Sequence, residues 1–241
     1  MWPRRRPRKC TCSSIRDERK KMDGCVALVT EGTLGIGHAV AQELAHKHRV
    51  IATCRSEREA GRYRGERAGA EIVRCDLALR EDRLALIAGL RARYARIHLL
   101  VNTTGNPPAE RRGMVDITEE SFDELVASDL KGPHFLSQAV AGWMLEQGGG
   151  RIIFVTQRGG LTDSSIASAG LSMSCKLYGY RLSAEGIRVF EIRCGTVGMG
   201  NGPEAALADV ANLVRWIADG QLDSLSGQVL DLRGGLLLPP L

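Results

Sequence analysis

The stretch Thr30-Glu31-Gly32-Thr33-Leu34-Gly35-Ile36-Gly37 follows an apolar run and precedes a segment of helical periodicity. Glycines at such a junction let the chain turn sharply and let its backbone approach a ligand closely. Backbone N–H groups and the helix N-terminus then face a phosphate or pyrophosphate. The chemistry this spacing prepares is nucleotide binding, with Thr30, Gly32, Thr33, Gly35, Ile36 and Gly37 as candidate contacts. Glu31 stands among them and adds both a Cβ and a negative charge where phosphates would sit.

The elements that must position this loop follow a repeating pattern. Apolar runs bounded by turn residues predict strands at 25–30, 49–54, 70–75, 97–102, 151–156, 187–193 and 228–231. Amphipathic segments between them predict helices at 35–47, 57–66, 80–95, 119–147, 165–184 and 204–219. The span 119–147 reads as one long helix, with Thr118 as N-cap and Gly148-Gly149-Gly150 as its stop. Strand–helix alternation with short connections implies an α/β fold. The expected form is a Rossmann-type doubly wound parallel sheet of about seven strands, with helices on both faces.

Length and charge narrow the partners. A chain of 241 residues fits one such domain, expected over 23–241. Residues 1–22 carry nine Lys/Arg against two acids, whereas the remainder carries 24 basic and 26 acidic residues. The basicity therefore belongs to a tail, expected to be disordered, with Met22 a second candidate start. A nucleic-acid role resting on that tail alone is not expected. The seven cysteines follow no disulfide or zinc spacing, so reduced thiols in a cytoplasmic protein and no metal site are expected. No run is long and apolar enough to cross a membrane, and no apolar core follows the early arginines as in a secretory leader.

The loop resembles the Thr-Gly-x-x-x-Gly-x-Gly signature of the short-chain dehydrogenase/reductase family. Asn102-Thr103-Thr104-Gly105 resembles that family's Asn-Asn-Ala-Gly motif, and Asp76-Leu77 resembles its adenine contact. Gly150-Arg151-Ile152-Ile153, Glu185-Gly186-Ile187-Arg188-Val189 and the closing Gly234-Gly235 are in register as well. The similarity is greatest to the ketoacyl-carrier-protein-reductase-like branch. It covers about residues 24–241 and adds Arg55, Asp76, Leu77, Asn102 and Gly105 to the candidate cofactor contacts. At the end of the second strand Cys54 takes the place of the acid that relatives preferring NAD use, and Arg55 follows. A guanidinium can pair with a 2′-phosphate, so the resemblance implies NADP(H). Glu31 at the first glycine position, and Met199 where the family has a threonine for the nicotinamide amide, both weaken that site.

The resemblance also implies a catalytic Asn, Ser, Tyr and Lys. A phenol with a pKa of about 10 needs a neighbouring cation to act near neutral pH. In this chain the four positions hold Asp129, Gln157, Ser164 and Ser168, and no Tyr-x-x-x-Lys occurs anywhere. Tyr178, Tyr180 and Lys176 lie eight or more residues past Ser168, at least about 12 Å along a helix. The segment Thr196 to Pro203 is shorter than the family's substrate-covering insertion. Three readings follow. The first is a noncatalytic or regulatory subunit, forming homo-oligomers (dimers or tetramers) or pairing with an active relative. The second is a non-redox enzyme taking a small-molecule ligand in a polar cleft around Asp129, Gln157, Ser164 and Ser168. The third is an atypical NADPH-dependent carbonyl reductase.

Overall fold

The computed structural model describes residues 25–64, 69–103, 115–157, 164–195 and 203–232. Seven strands form one sheet: β1 (Val26–Val29), β2 (Arg49–Cys54), β3 (Ala70–Arg74), β4 (Leu99–Thr103), β5 (Gly150–Gln157), β6 (Ile187–Cys194) and β7 (Val229–Leu232). Their order is β3-β2-β1-β4-β5-β6-β7, and all neighbours run parallel. Order reverses between β1 and β4. The crevice at the C-terminal ends of those strands is where such sheets place ligands.

Helices cover both faces. On one side α1 (Gly35–Ala45) and α7 (Pro203–Ala218) pack Val40, Leu44, Val210, Val214 and Ile217 against Val29, Ile153 and Phe190. On the other, α3 (Arg80–Arg93), α5 (Gly132–Gln147) and α6 (Ser164–Leu182) pack Leu90, Leu136, Met144 and Leu171 against Leu28, Ile152 and Phe154. The short α2 (Glu57–Arg64) follows β2. Strands buried on both faces explain why the sequence shows near-continuous apolar runs rather than alternation.

The span expected as one helix is interrupted. Thr118 does cap α4 (Glu119–Leu125), its Oγ1 accepting from the Ser121 N–H, and Gly148 ends α5 in a left-handed turn at φ 87°. Between α4 and α5, Val126–Lys131 form a π-helical segment. Pro133 is the cause in sequence terms. It has no N–H for the carbonyl four residues back, that of Asp129, so the α register fails there. The Gly132 N–H bonds instead to the Ala127 carbonyl, five residues back.

Candidate functional site

The loop between β1 and α1 has the form a pyrophosphate cradle needs. Leu34, the N-cap of α1, is extended and no side chain caps the helix. The first-turn N–H groups are therefore offered forward. Gly35 has φ 53° and open space where a Cβ would lie. Gly37 is the opposite case: a Cβ there would sit 2.3 Å from the Glu31 carbonyl oxygen and 2.8 Å from Thr103 Oγ1. Gly32 fits closely too, with a Cβ falling 2.6 Å from the Ala52 Cβ. Ile36 is half-buried beside them. Thr30 and Thr33 are buried, and Thr30 clasps β1 to β4. The Thr30 hydroxyl donates to the Thr103 carbonyl at 3.1 Å and accepts from its N–H at 2.9 Å, while the Thr103 hydroxyl donates back to the Thr30 carbonyl. Thr30 thus shapes the loop from below.

Glu31 takes the conformation that a glycine would take. Its φ of 48° is the one positive value at a non-glycine among the described residues. A left-handed non-glycine costs about 1–2 kcal/mol. The conformation is held by the Thr53 hydroxyl, which accepts from the Glu31 N–H at 3.2 Å, and by the Thr53 carbonyl, which accepts from Gly32 at 2.9 Å. The carboxylate turns to Arg55, 3.7 Å away. The guanidinium expected to meet a 2′-phosphate is thus already beside an anion. Cys54 is buried, its thiol donating to the Ser56 carbonyl at 3.4 Å.

The other predicted contacts line the same edge. Asp76 accepts from the Ala78 N–H at 3.0 Å, and its own N–H is held by Asp82 at 2.9 Å. Leu77 is buried under α5, where Gly132 lets its carbonyl approach; a Cβ there would lie 2.6 Å from that oxygen. Asn102 is buried at the end of β4, its amide donating to Ser137 at 2.9 Å. Its Oδ1 is an unmet acceptor among the described residues. Gly105 and Met199 lie outside the described residues, as do residues 1–22, most of the shortened 196–203 stretch and the Gly234-Gly235 pair.

Asp129, Gln157, Ser164 and Ser168 are carried by three elements. Asp129 lies in the π-helical segment and accepts from the Ser128 hydroxyl at 2.7 Å. Leu130 fills the notch at Gly170 of α6, where a Cβ would lie 2.7 Å from its Cδ1. That contact sets Asp129 beside the first half of α6, which carries Ser164 and Ser168, both half-buried and one turn apart. Gln157 ends β5, pairing in register with Cys194. No tyrosine joins them. All four are described: Tyr63 packs edge-on to His38, Tyr94 reaches Glu71, and Tyr180 is 90% exposed. Tyr178 donates to the His134 carbonyl at 3.3 Å, and burial pushes its phenol up to about 12. Lys131 and Lys176 are exposed.

With this geometry in view, comparison with known proteins is decisive. The family model for short chain dehydrogenases matches residues 25–203. The chain belongs to this family. A sorbitol dehydrogenase of Cereibacter sphaeroides is 30% identical over 81% of this chain and 80% of its own length. The 3-oxoacyl-acyl-carrier-protein reductase of Haemophilus influenzae is 26% identical over 90% of this chain and its whole length. The chain spans about half the length of other curated relatives, such as D-threitol dehydrogenase of Mycolicibacterium smegmatis, at 35% identity and 52% of that protein. Among solved structures, an actinorhodin polyketide ketoreductase variant with NADPH shares the fold at TM-score 0.76 and 24% identity, covering 89% of this chain and 97% of that one.

This short-chain dehydrogenase holds a cluster that sequence reasoning missed. Glu191, fully buried on β6, accepts from Thr156 at 2.8 Å, from Ser172 at 2.7 Å, and from Arg193 through Nε at 3.2 Å and Nη2 at 2.9 Å. Arg193 Nη2 also meets the Ser172 hydroxyl at 3.1 Å. Ser172 stands one turn beyond Ser168, so an ion pair from β6 lies beside the face of α6 that bears the two site serines. The signal was available: Glu191 and Arg193, two apart in a buried strand, must share a face and pair. Thr156, next to Gln157 on β5, faces this pair. Three of the described thiols are poor nucleophiles, since burial raises Cys75 and Cys175 to about 12 and Cys194 to about 11. No cluster of His, Cys, Asp and Glu among the described residues could hold a metal, and no helix there is long and apolar enough to cross a membrane.

Proposed function

We propose that this protein is a dinucleotide-binding short-chain dehydrogenase homologue that has lost tyrosine-based hydride transfer and serves as a noncatalytic or regulatory subunit. One observation carries the reading. Every phenol of the chain is engaged elsewhere or faces solvent, and serines occupy positions 164 and 168. An aliphatic hydroxyl is a far weaker acid than a phenol, so a serine is a poor proton donor near neutral pH.

The ligand proposed is a nicotinamide dinucleotide of the NAD(P) class, with Arg55 the group to meet the 2′-phosphate of NADP(H). The uncapped α1 N-terminus, the open face of Gly35 and the unmet acceptor on Asn102 support the fit. When bound, such a group supplies hydride chemistry. This chain's residues would hold it: the Gly32–Gly37 backbone at the pyrophosphate, Asp76 and Leu77 at the adenine. Association is proposed through α5 and α6, with a second copy or an active relative. Its support is a stripe on α6 (Ile166, Met173, Leu177 and Tyr180, all exposed), with Phe135 of α5 exposed as well. Residues spaced by seven, four and three lie on one helix face. The buried thiols, none in a disulfide among the described residues, support a reducing, cytoplasmic setting.

A second reading, a non-redox enzyme acting at Asp129, Gln157, Ser164 and Ser168, is favoured by one feature. Asp129 lies in a π-helical segment, a distortion frequent at functional sites. Titration with NADPH and NADH, followed by nicotinamide fluorescence and melting temperature, tests the cofactor site. A carbonyl panel and gel filtration complete the experiment. Binding, association and no carbonyl-dependent oxidation of NADPH are expected. Carbonyl-dependent oxidation would overturn the reading in favour of an atypical reductase, and no binding at millimolar concentration would remove the dinucleotide.

A further inference from the structure

The pair Glu31–Arg55 sits where a dinucleotide of this fold is read at its adenosine ribose, and its arrangement is unlike that of an arginine kept for a phosphate. The Arg55 side chain is 55% exposed and that of Glu31 26%. The backbone on either side is fixed. Glu31 is pinned through its N–H to Thr53, its carbonyl packs on Gly37, and the Arg55 N–H donates to Glu59 Oε2 at 3.2 Å. The Glu31 carboxylate therefore leaves the loop at a set angle, on the rim between the phosphate cradle and the end of β2.

Two consequences follow from charge alone. A 2′-phosphate reaching Arg55 must compete with a carboxylate already beside it. It must also approach that carboxylate, and like charges brought together cost affinity and give discrimination. A 2′-hydroxyl meets neither obstacle, and a carboxylate accepts its hydrogen bond. We propose that Glu31 is a selectivity residue: by occupying Arg55 it lowers the preference for NADP(H) over NAD(H) that the arginine alone would confer. The inference rests on the dinucleotide reading above.

The test is a fluorescence titration of NADPH and NADH against the full chain and its Glu31→Gln, Arg55→Gln and Glu31→Gln/Arg55→Gln variants. Ligand-free melting curves verify that each is folded. Glu31→Gln keeps the side-chain shape and removes the charge. NADPH should bind it about tenfold more tightly, while NADH changes by less than about twofold. In the Arg55→Gln background the gain should shrink, because Arg55 is no longer there to be released. A gain shared equally by both dinucleotides would make Glu31 a residue of loop shape and overturn the proposal. A gain that survives intact without Arg55 would overturn it as well. Failure of every form to bind either dinucleotide would instead remove the underlying reading, and the inference with it.

Discussion

Replacing Arg193 with methionine should destabilise the protein by about 2–3 kcal/mol, although the side chain touches none of the predicted cofactor contacts. The magnitude comes from Glu191. Its carboxylate is fully buried and takes two of its four hydrogen bonds from Arg193. Removing one partner of a buried pair costs roughly 3–5 kcal/mol. The hydroxyls of Thr156 and Ser172 stay in place, and the Arg193 side chain is itself 33% exposed, so the loss falls below that range. For a chain of this size each kcal/mol moves the melting point by about 2–4 °C, giving about 4–12 °C in all. The double variant Glu191→Leu/Arg193→Met should recover most of the loss, because apolar replacement of a buried pair is often neutral. The assay is urea unfolding followed by circular dichroism at one fixed protein concentration, run as a double-mutant cycle. A cost under about 0.5 kcal/mol for Arg193→Met, or additive single effects, would refute the reasoning.

Other outcomes are expected on the same grounds. Gly37→Ala forces a Cβ against the Glu31 carbonyl and Thr103 Oγ1, so it should cost about 1–3 kcal/mol in unfolding free energy and abolish dinucleotide binding; binding at wild-type affinity would contradict the packing role. His98 accepts from the Val26 N–H at 3.0 Å, and burial, with Arg96, His48 and Arg151 nearby, lowers its pKa; burial also lowers that of His48. Each takes up a proton less readily in the folded state, so around and below about pH 6.5 the unfolded chain binds more protons. Stability should therefore be full above that pH and fall as the pH drops, and His98→Gln, which keeps an acceptor without the charge, should flatten the melting curve between pH 7.5 and 5. An unchanged pH slope would exclude His98 as a source. Cys75, Cys175 and Cys194 should resist labelling by an aromatic disulfide at pH 8 until denaturant is added, and rapid labelling in the native protein would show that their burial is wrong.

Much of the fold was legible in the sequence because its signals are local. A parallel sheet buried on both faces writes itself as apolar runs, and β2, for one, matches its predicted bounds at Arg49–Cys54. The glycines of the loop announced themselves through the backbone freedom they supply, and Thr118 and Gly148 through the helix ends they cap. That positions 129, 157, 164 and 168 hold Asp, Gln, Ser and Ser was also a matter of sequence, since no folding can create a phenol at position 164. Whatever depended on two distant segments meeting was left to the tertiary structure. Pro133, which breaks the α register, was visible, but that Leu130 of the π segment packs into the notch at Gly170 and so brings Asp129 to α6 was not. Glu191 was a lone acid in an apolar strand until α6 and β5 brought it two hydroxyls. Glu31 and Arg55 lie 24 residues apart, in a loop and at a strand end. Each was read alone, one as a repulsive charge and the other as a phosphate ligand. Only the parallel pairing of β1 with β2 sets those two ends side by side and makes them one ion pair.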